Sequence, residues 1–253
     1  MLKEHQDAFG RAMYDYFLSG MKDQYIKEII ERDDGYLDAS IGLEAYFREY
    51  RDWHPEEKKA LRYARGRILD VGCGAGRHSL YLQGKGLDVV GIDNSPAAIE
   101  VCKQRGLKDA LAMPLNEISS GLGVFDTVLM LGNNFGLFGS EAGARHMLKK
   151  ISRITSKNAR IITTSSNVYQ TDIPAHLKYH EMNRKRGRMA GQIRFRVRYH
   201  EYATPWFDYL LVSQEEMVNI LDGTGWRISR FFESAGAFYT AVIEKKNKIF
   251  MGK

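Results

Sequence analysis

The sequence predicts an α/β fold built on a doubly wound, mostly parallel sheet of seven strands. Three observations support this prediction. From residue 67 onward, short apolar runs alternate with helical patterns, as is typical of parallel strands joined by crossover helices. A glycine-rich turn follows the first of these strands. Two further runs near the C-terminus, separated by a glycine, predict an antiparallel hairpin that closes the sheet.

The predicted elements of this sheet cover residues 65–165 and 213–253. The strands are expected at Arg67–Val71, Asp88–Ile92, Asp109–Met113, Phe125–Leu131, Ala159–Ser165, 227–234 and 237–244. The helices between them are expected at His78–Gln83, Ala97–Gln104 and Arg145–Thr155. Ser213 is followed by two glutamates within three residues, which is typical of a helix N-terminus. Strand therefore alternates with helix throughout the predicted core.

Two segments stand outside this alternation. Residues 1–64 are predicted to form a helical N-terminal lid segment, with one helix over 1–30 and a second helical stretch over 43–64 that is broken at Pro55. Residues 166–212 are predicted to be an insertion that forms a small antiparallel cap. Within it, Gln192–His200 alternates strictly between apolar or aromatic residues and basic ones, which predicts a half-buried strand with an arginine face. Trp206–Val212 is its expected antiparallel neighbour.

Composition excludes several classes of protein. Of the 253 residues, 44% are hydrophobic and 27% are charged, as in ordinary globular proteins. No run of 18 apolar residues occurs, and the N-terminus is charged throughout, so neither a spanning helix nor a secretory leader is expected. Two cysteines do not make a disulfide framework or a cysteine-based zinc site. We therefore expect a cytoplasmic protein.

The net charge of +6 is concentrated in one segment. Lys178–Arg198 contains eight basic residues and one acid, so the rest of the chain is close to neutral. This distribution argues against a protein that coats nucleic acid with a broad cationic face. It leaves open an anionic small molecule or a local phosphate contact as the partner of this segment.

The most informative stretch is the glycine loop at 68–78, which reads ILDVGCGAGRH. Glycine is needed where φ is positive or where a ligand approaches the backbone, and the helix behind the loop offers free N–H groups. The spacing differs from the dinucleotide loop G-x-G-x-x-G, because Arg77 stands where the third glycine would fall. Asp70, beside the loop, would repel a pyrophosphate and suits a ligand with an ammonium group. Asp93 ends the next strand, where an acid can accept both ribose hydroxyls.

This combination resembles the class I S-adenosylmethionine-dependent methyltransferases, whose fold is Rossmann-like. The glycine loop resembles their motif I, VGIDNSP at 90–96 resembles motif II, and FDTVLMLGNN at 125–134 resembles motif IV with its turn. The resemblance covers about 67–165 and the closing hairpin. It implies S-adenosylmethionine as cofactor and S-adenosylhomocysteine as product. It also implies transfer of an already activated methyl group by in-line displacement.

The resemblance implies cofactor contacts residue by residue. They are Asp70, Gly72, Cys73, Gly74, Gly76, Asp93, Asn94, Met113, Leu115, Leu131 and Asn133. By this resemblance, the three glycines lie along the methionine portion of the cofactor and Asp93 holds the ribose. Leu131 and Asn133 face the reactive sulfonium. The adenine wall follows the third strand. It lies at Asp109-Ala110 or, if these residues begin the strand, at Met113–Leu115.

Methyl transfer requires alignment and exclusion of water, and it requires a general base only when the acceptor must lose a proton. No obligatory catalytic dyad is therefore expected, and His78 and His180 are weak candidates for such a base. The candidate acceptor contacts are Tyr46, His176, Tyr179, Arg194, Arg196 and Arg198. No metal is expected, because His176 and His180 lack a third ligand with suitable spacing.

The role of the arginine face is left open between two interpretations. If the face lines the cleft, its guanidinium groups suit capture of a carboxylate or phosphate, and the acceptor is an acid. The alternative is a solvated edge strand that is protected from aggregation by its charge.

Three functions remain open at this stage. The favoured one is a methyltransferase that acts on a small, anionic acceptor, because the N-terminal segment and the insertion would enclose a pocket. The second is a methyltransferase that docks RNA or protein through 178–198. The third is a non-catalytic S-adenosylmethionine-binding protein. Nucleic acid is disfavoured as a partner, no membrane association is expected, and the oligomeric state, monomer or homodimer, is left open.

Overall fold

The computed structural model describes residues 1–39 and 42–246. Its strands are β1 Ile29–Arg32, β2 Leu37–Ala39, β3 Arg67–Val71, β4 Asp88–Asp93, β5 Asp109–Ala112, β6 Phe125–Met130, β7 Thr155–Ser166, β8 Gln192–Tyr199, β9 Tyr202–Ala203, β10 Phe207–Leu210, β11 Trp226–Glu233 and β12 Phe238–Lys245. Its α-helices are α1 Ala8–Leu18, α2 Pro55–Leu61, α3 Arg77–Gly84, α4 Pro96–Gln104, α5 Glu141–Arg153, α6 Pro174–Lys185 and α7 Gln214–Leu221. These elements form two separate sheets with helices packed on them.

The larger sheet has seven strands in the order β11-β12-β7-β6-β3-β4-β5. The five strands from β7 to β5 are parallel, whereas β12 pairs antiparallel with both β7 and β11. The central strands are buried almost throughout, which agrees with their nearly continuous apolar sequences. The predicted fold class, a doubly wound and mostly parallel sheet with an antiparallel closing hairpin, is confirmed.

The smaller sheet joins two parts of the chain that are far apart in sequence. Its order is β10-β8-β1-β2, with β9 on β8, and every pairing is antiparallel. Strands β1 and β2 come from the N-terminal segment, and β8, β9 and β10 come from the insertion. The predicted pairing of the strand at 192–200 with the strand at 206–212 is confirmed. The N-terminal segment and the insertion therefore build one cap together.

The prediction of a purely helical N-terminal segment is wrong in two places. The first helix, α1, ends at Leu18, and residues 29–39 contain the two strands that pair into the smaller sheet. Farther on, the expected helical stretch consists of two 3-10 turns, at Leu43–Tyr46 and Tyr50–Asp52, followed by α2. Pro55 begins α2 instead of breaking a helix, because its fixed φ suits the first helical turn.

The smaller sheet lies over the edge of the larger one where parallel strands end. On its inner side, Val197 and Tyr199 pack with α1, and α1 in turn packs on α4. At the other end of this sheet, β10 contacts the 3-10 turn Asn134–Phe138 that follows β6. The carboxyl ends of β3, β4 and β6 therefore open into a cleft that the smaller sheet covers.

Candidate active site

The glycine loop lies between the end of β3 and the start of α3. Gly72 and Gly76 have φ values of +68° and +78°, which favour glycine over other residues. A Cβ added at Gly72 would lie 2.6 Å from Asn134 Nδ2, and one added at Gly76 would lie 3.0 Å from Cys102 Sγ. Glycine is therefore required at both positions, by conformation and by close packing.

The middle glycine of the loop opens toward the cleft. Gly74 also has a positive φ, of +54°, but a Cβ added there would have only Met13 Sδ and Tyr46 Cδ1 nearby, at 3.8 and 3.9 Å. The Tyr46 ring is held edge-to-face against Phe9, with centroids 5.0 Å apart. Burial raises the pKa of Tyr46, and the carboxylate of Glu28 adds to this effect. Met13 and Tyr46 thus form a roof above Gly74.

Asp93 lies at the end of β4, directly beside the loop. Its Oδ2 accepts from the Gly74 N–H and its Oδ1 accepts from the Ser95 N–H, both at 3.0 Å. Its side chain is only partly buried by its neighbours. Desolvation in the cleft nevertheless raises the pKa of Asp93 to about 6, and the nearby charge of Asp7 acts in the same direction. A carboxylate with free lone pairs therefore faces the space above the loop.

The other candidate groups near the loop lie beneath it. Asp70 is only 2% exposed and accepts from Ser79 Oγ at 2.6 Å, and burial raises its pKa. His78 is also buried, with its Nε2 3.9 Å from Glu57 Oε1. Arg77 donates to Glu57 Oε1 and to the Ala45 carbonyl, both at 3.1 Å. The ion pair with Glu57 ties α3 to α2, and the bond to Ala45 ties α3 to the turn that carries Tyr46.

The turn after β6 is held from three sides. Asn133 adopts a left-handed conformation with φ +65°, which is uncommon for a residue other than glycine. Its N–H donates to Thr164 Oγ1 and its carbonyl accepts from the Tyr209 hydroxyl, both at 2.6 Å. Its side-chain Oδ1 lies 3.4 Å from Ser166 Oγ. The turn is therefore fixed to β7 and to the smaller sheet at once.

The register of the third parallel strand is settled by its pairing. Asp109 is the first residue of β5, so Asp109-Ala110 lies at the end of the strand away from the glycine loop. Met113 follows the strand, and its N–H donates to the Asp93 carbonyl at 2.7 Å. Of the two alternatives, Met113–Leu115 therefore lies at the cleft. Leu131, which follows β6, is buried at the same edge of the sheet.

The N-terminal residues also reach this edge. The Leu2 N–H donates to the Asn94 carbonyl at 3.0 Å, and Asp7 Oδ2 accepts from the Ala97 N–H at the start of α4. Cys73 and Cys102 lie under the loop with their sulfurs 3.9 Å apart. The structure thus brings every predicted cofactor contact to one edge of the larger sheet.

The arginine face points away from this cleft. Arg196 donates to both oxygens of Glu31 at 2.9 and 3.1 Å, Arg198 contacts Glu31 at 3.3 Å, and Arg194 contacts Asp208 at 3.4 Å. These side chains alternate with Val197 and Tyr199, which face α1. The interpretation as an edge strand is wrong as well, because β8 lies between β10 and β1.

The remaining acceptor candidates lie together on α6. The hydroxyl of Tyr179 donates to Asp33 Oδ1 at 2.6 Å and accepts from the Arg194 N–H at 3.0 Å. His176 packs edge-to-face on Tyr36, and His180 lies 6.2 Å from the Tyr169 ring. Burial lowers the pKa of His180. Tyr179 therefore attaches α6 to the smaller sheet.

Three residues at the cleft were not predicted from sequence, namely Met13, Asn134 and Tyr209. Asn134 Nδ2 donates to the carbonyls of Val71 and Gly72, both at 2.9 Å. Its position directly after Asn133 in the motif IV turn is a signal that sequence alone offered. Met13 and Tyr209 reach the cleft only through long-range packing, and no local pattern marks them.

Comparison with known proteins agrees with this geometry. Residues 68–158 match the family model of the methyltransferase domain. A SAM-dependent methyltransferase from Bacteroides fragilis, solved in complex with S-adenosyl-L-homocysteine, is 27% identical over 97% of each chain, with a TM-score of 0.82. Residues 68–158 therefore form a methyltransferase domain, and the chain as a whole has the fold of a class I S-adenosylmethionine-dependent methyltransferase.

Two further methyltransferase structures share the fold of this methyltransferase. One, from Methanosarcina mazei, is 20% identical over 77% of this chain and 98% of its own, with a TM-score of 0.58. The CcbJ methyltransferase from Streptomyces caelestis is 13% identical over 78% of this chain and 94% of its own, with a TM-score of 0.55.

The described residues contain neither a membrane-spanning helix nor a cluster of metal ligands. In residues 1–39 and 42–246, no helix of this methyltransferase combines the length and the apolar character that a membrane crossing requires. Over the same ranges, no group of three or more His, Cys, Asp or Glu side chains has the arrangement of a metal site.

Proposed function

We propose that this methyltransferase transfers the methyl group of S-adenosylmethionine to a small molecule held between its two sheets. The observation that carries the proposal is the pairing of Gly74 and Asp93 at adjacent strand ends, under the roof of Met13 and Tyr46. A glycine cradle and a ribose-binding carboxylate lie side by side there, and the smaller sheet covers them. Such a covered cleft suits a small acceptor.

The residues of the cleft fit the cofactor. At Gly74 an added Cβ would make only ordinary contacts with Met13 and Tyr46, and the lack of a side chain there suits the close approach of a ligand to the backbone. The half-buried carboxylate of Asp93 has lone pairs left for the two ribose hydroxyls. Met113 and Leu115, after β5, form an apolar edge for the adenine, and Asn133 faces the region of the sulfonium. Asp70, buried beneath the loop, would act on the ammonium group through water or by fixing the loop.

The arginine face supports no acidic acceptor in its present arrangement. Arg194 and Arg196 pair with carboxylates on the outer side of the smaller sheet. An acidic acceptor bound by them would have to displace these partners and would lie away from the loop. The inner face of the smaller sheet offers Phe195 and Tyr209 instead, and the turn Leu43–Tyr46 offers Tyr46. We therefore propose that aromatic contacts and neutral polar groups, and not this arginine face, recognise the acceptor.

The protein contributes alignment and exclusion of water to the reaction. When bound, S-adenosylmethionine supplies an activated methyl group, so no side chain has to activate the electrophile. The glycine loop and Asp93 fix the position of the cofactor, while the roof formed by Met13 and Tyr46 keeps water from its methionine portion. His78 is buried between Trp53 and Glu57, so we do not propose it as a base. His180 is favoured in its neutral form and stays the candidate base for an acceptor that must lose a proton.

Calorimetric titration tests the proposal, with NADH as the control ligand. We expect micromolar binding of S-adenosylmethionine and none of NADH. A panel of small amines, alcohols and carboxylic acids, followed by release of S-adenosylhomocysteine, then identifies the acceptor class. Binding without release for any member would favour the non-catalytic alternative. Salt-sensitive binding of RNA by the basic segment would favour a macromolecular acceptor.

A further inference from the structure

The phenol of Tyr209 joins the smaller sheet to the turn after β6. The Tyr209 hydroxyl donates to the Asn133 carbonyl at 2.6 Å, and its ring packs edge-to-face on Phe195 with centroids 5.6 Å apart. The ring also lies directly over Gly136, where an added Cβ would come within 2.2 Å of Tyr209 Cε1. The position of this ring is therefore fixed by the turn on one side and by the sheet on the other.

The next residue of the turn holds the glycine loop. Asn134 Nδ2 donates to the carbonyls of Val71 and Gly72, both at 2.9 Å. Asn133 and Asn134 are consecutive, so whatever fixes the peptide between them also fixes the start of the Asn134 side chain. The carbonyl of that same peptide is the group that accepts from Tyr209. A chain of contacts therefore runs from the smaller sheet through the turn to the cofactor loop.

This chain needs support from outside the turn. The left-handed conformation of Asn133 is costly for a residue with a Cβ, and it persists only where the surroundings hold it. Thr164 holds its N–H and Tyr209 holds its carbonyl. The Gly136 N–H also donates to this carbonyl, at 2.8 Å, from within the turn. Without the phenol, that bond alone holds the carbonyl, so the peptide between Asn133 and Asn134 is held less firmly and the amide of Asn134 is aligned less well with the loop.

We propose that Tyr209 is a positioning residue for cofactor binding. By holding the Asn133 carbonyl it keeps Asn134 on the glycine loop, and it thereby couples closure of the smaller sheet to affinity for the cofactor. The inference rests on the proposed function, because cofactor affinity is the quantity that reports it. Coupling of this kind is reciprocal, so an acceptor that fixes Tyr209 strengthens cofactor binding by the same factor.

The test compares two phenols of similar structural role. Tyr209→Phe removes the bond to Asn133, whereas Tyr239→Phe removes a buried phenol that donates to the Val212 carbonyl at 2.8 Å, outside the cleft. We expect a similar small loss of thermal stability in both variants. Calorimetry measures the affinity for S-adenosylhomocysteine. We expect this affinity to fall about 3- to 10-fold in Tyr209→Phe, because one hydrogen bond is lost, and to stay unchanged in Tyr239→Phe.

A double-mutant cycle distinguishes an effect of Tyr209 that acts through Asn134 from a general loss of rigidity in the fold. Asn134→Ala removes the clamp itself, so Tyr209→Phe should weaken cofactor binding no further in that background. Equal affinity in Tyr209→Phe and the wild type, or an unchanged effect of Tyr209→Phe in the Asn134→Ala background, would overturn the inference. Failure of the wild-type protein to bind S-adenosylhomocysteine would overturn the proposed function instead, so the two failures are distinguishable.

Discussion

The two sheets of this methyltransferase differ in how far apart in sequence their neighbours lie. In the larger sheet, β3 pairs with β4 and β4 pairs with β5, each pair about 20 residues apart and joined through a crossover helix. In the smaller sheet, β1 pairs with β8, and the ion pair between Glu31 and Arg196 spans 165 residues. The cofactor side of the cleft is thus local in sequence, whereas the acceptor side is assembled from remote segments.

The two sheets also differ in how they are buried. The central strands of the larger sheet are covered on both faces, so most of their side chains are apolar. The smaller sheet is covered only on its inner face, and its outer face carries Glu31, Asp208 and the arginines that pair with them. A sheet buried on one side makes fewer apolar contacts and opens at lower free energy. The acceptor side is therefore the part expected to move.

The largest expected effect belongs to the cofactor side. Asp93→Ala removes the carboxylate for the ribose and the partner of the Gly74 N–H, and we expect affinity for S-adenosylmethionine to fall about 100-fold, in line with loss of charge-assisted hydrogen bonds. Asp88→Ala is the matched control, because Asp88 begins the same strand at its far end and pairs with Arg67 on the surface. Calorimetry on both variants checks the prediction. Equal affinities would place the ribose elsewhere.

A smaller effect is expected where the two sheets meet. Gly136→Ala would place a Cβ 2.2 Å from the Tyr209 ring, although the backbone at Gly136 has no positive φ. We expect a loss of about 2 kcal/mol in the free energy of unfolding, as in other overpacked cores. Gly84→Ala, at the end of α3 with nothing within 4 Å of the new Cβ, should instead be neutral or slightly stabilising. Urea unfolding of the two variants and the wild type measures these changes in the free energy of unfolding.

The contrast between the sheets explains what the sequence could predict. β3, the glycine loop, β4 and Asp93 follow one another within about 30 residues, so apolar runs and glycine spacing are enough to place them. The same patterns decided the register of β5 only partly, because its end depends on pairing with β4. Local patterns therefore described the cofactor side well.

The acceptor side was predicted poorly for a physical reason. Strict alternation in β8 identified a half-buried strand, and the next apolar run identified its neighbour β10, but no local pattern showed that β1 lies on its other side or where its arginines point. β1 and β2 are short, and a helical interpretation of 1–64 fits their residues nearly as well. They become strands because β8 supplies their hydrogen-bond partners. Tertiary context of that kind leaves no signal within a short window.

Cofactor binding should also depend on pH. Because burial raises the pKa of Asp93 to about 6, the fold favours its protonated form, and its contribution to the stability of the cofactor-free protein is lost as pH rises from about 4 to 6. Binding of the ribose favours the ionised form. Affinity for S-adenosylhomocysteine should therefore fall about tenfold per pH unit below 6 and level off above it.

Calorimetry between about pH 5 and pH 8 tests this dependence. Asp93→Asn is the control, because it keeps the shape of the side chain and cannot ionise. A steep pH profile that persists in Asp93→Asn would assign the titration to another group, such as the buried Asp70.

The smallest effect is expected on the outer face of the smaller sheet. Arg194 pairs with Asp208 at 3.4 Å and is 44% exposed, so the pair is screened by solvent and contributes about 0–1 kcal/mol. Arg194→Gln should leave both cofactor affinity and the KM for the acceptor unchanged, since the side chain points away from the cleft. Steady-state kinetics with the acceptor from the panel check this. A rise in KM with unchanged kcat would show that the arginine face reaches the acceptor after all, and the smaller sheet would then have to turn that face inward when it closes.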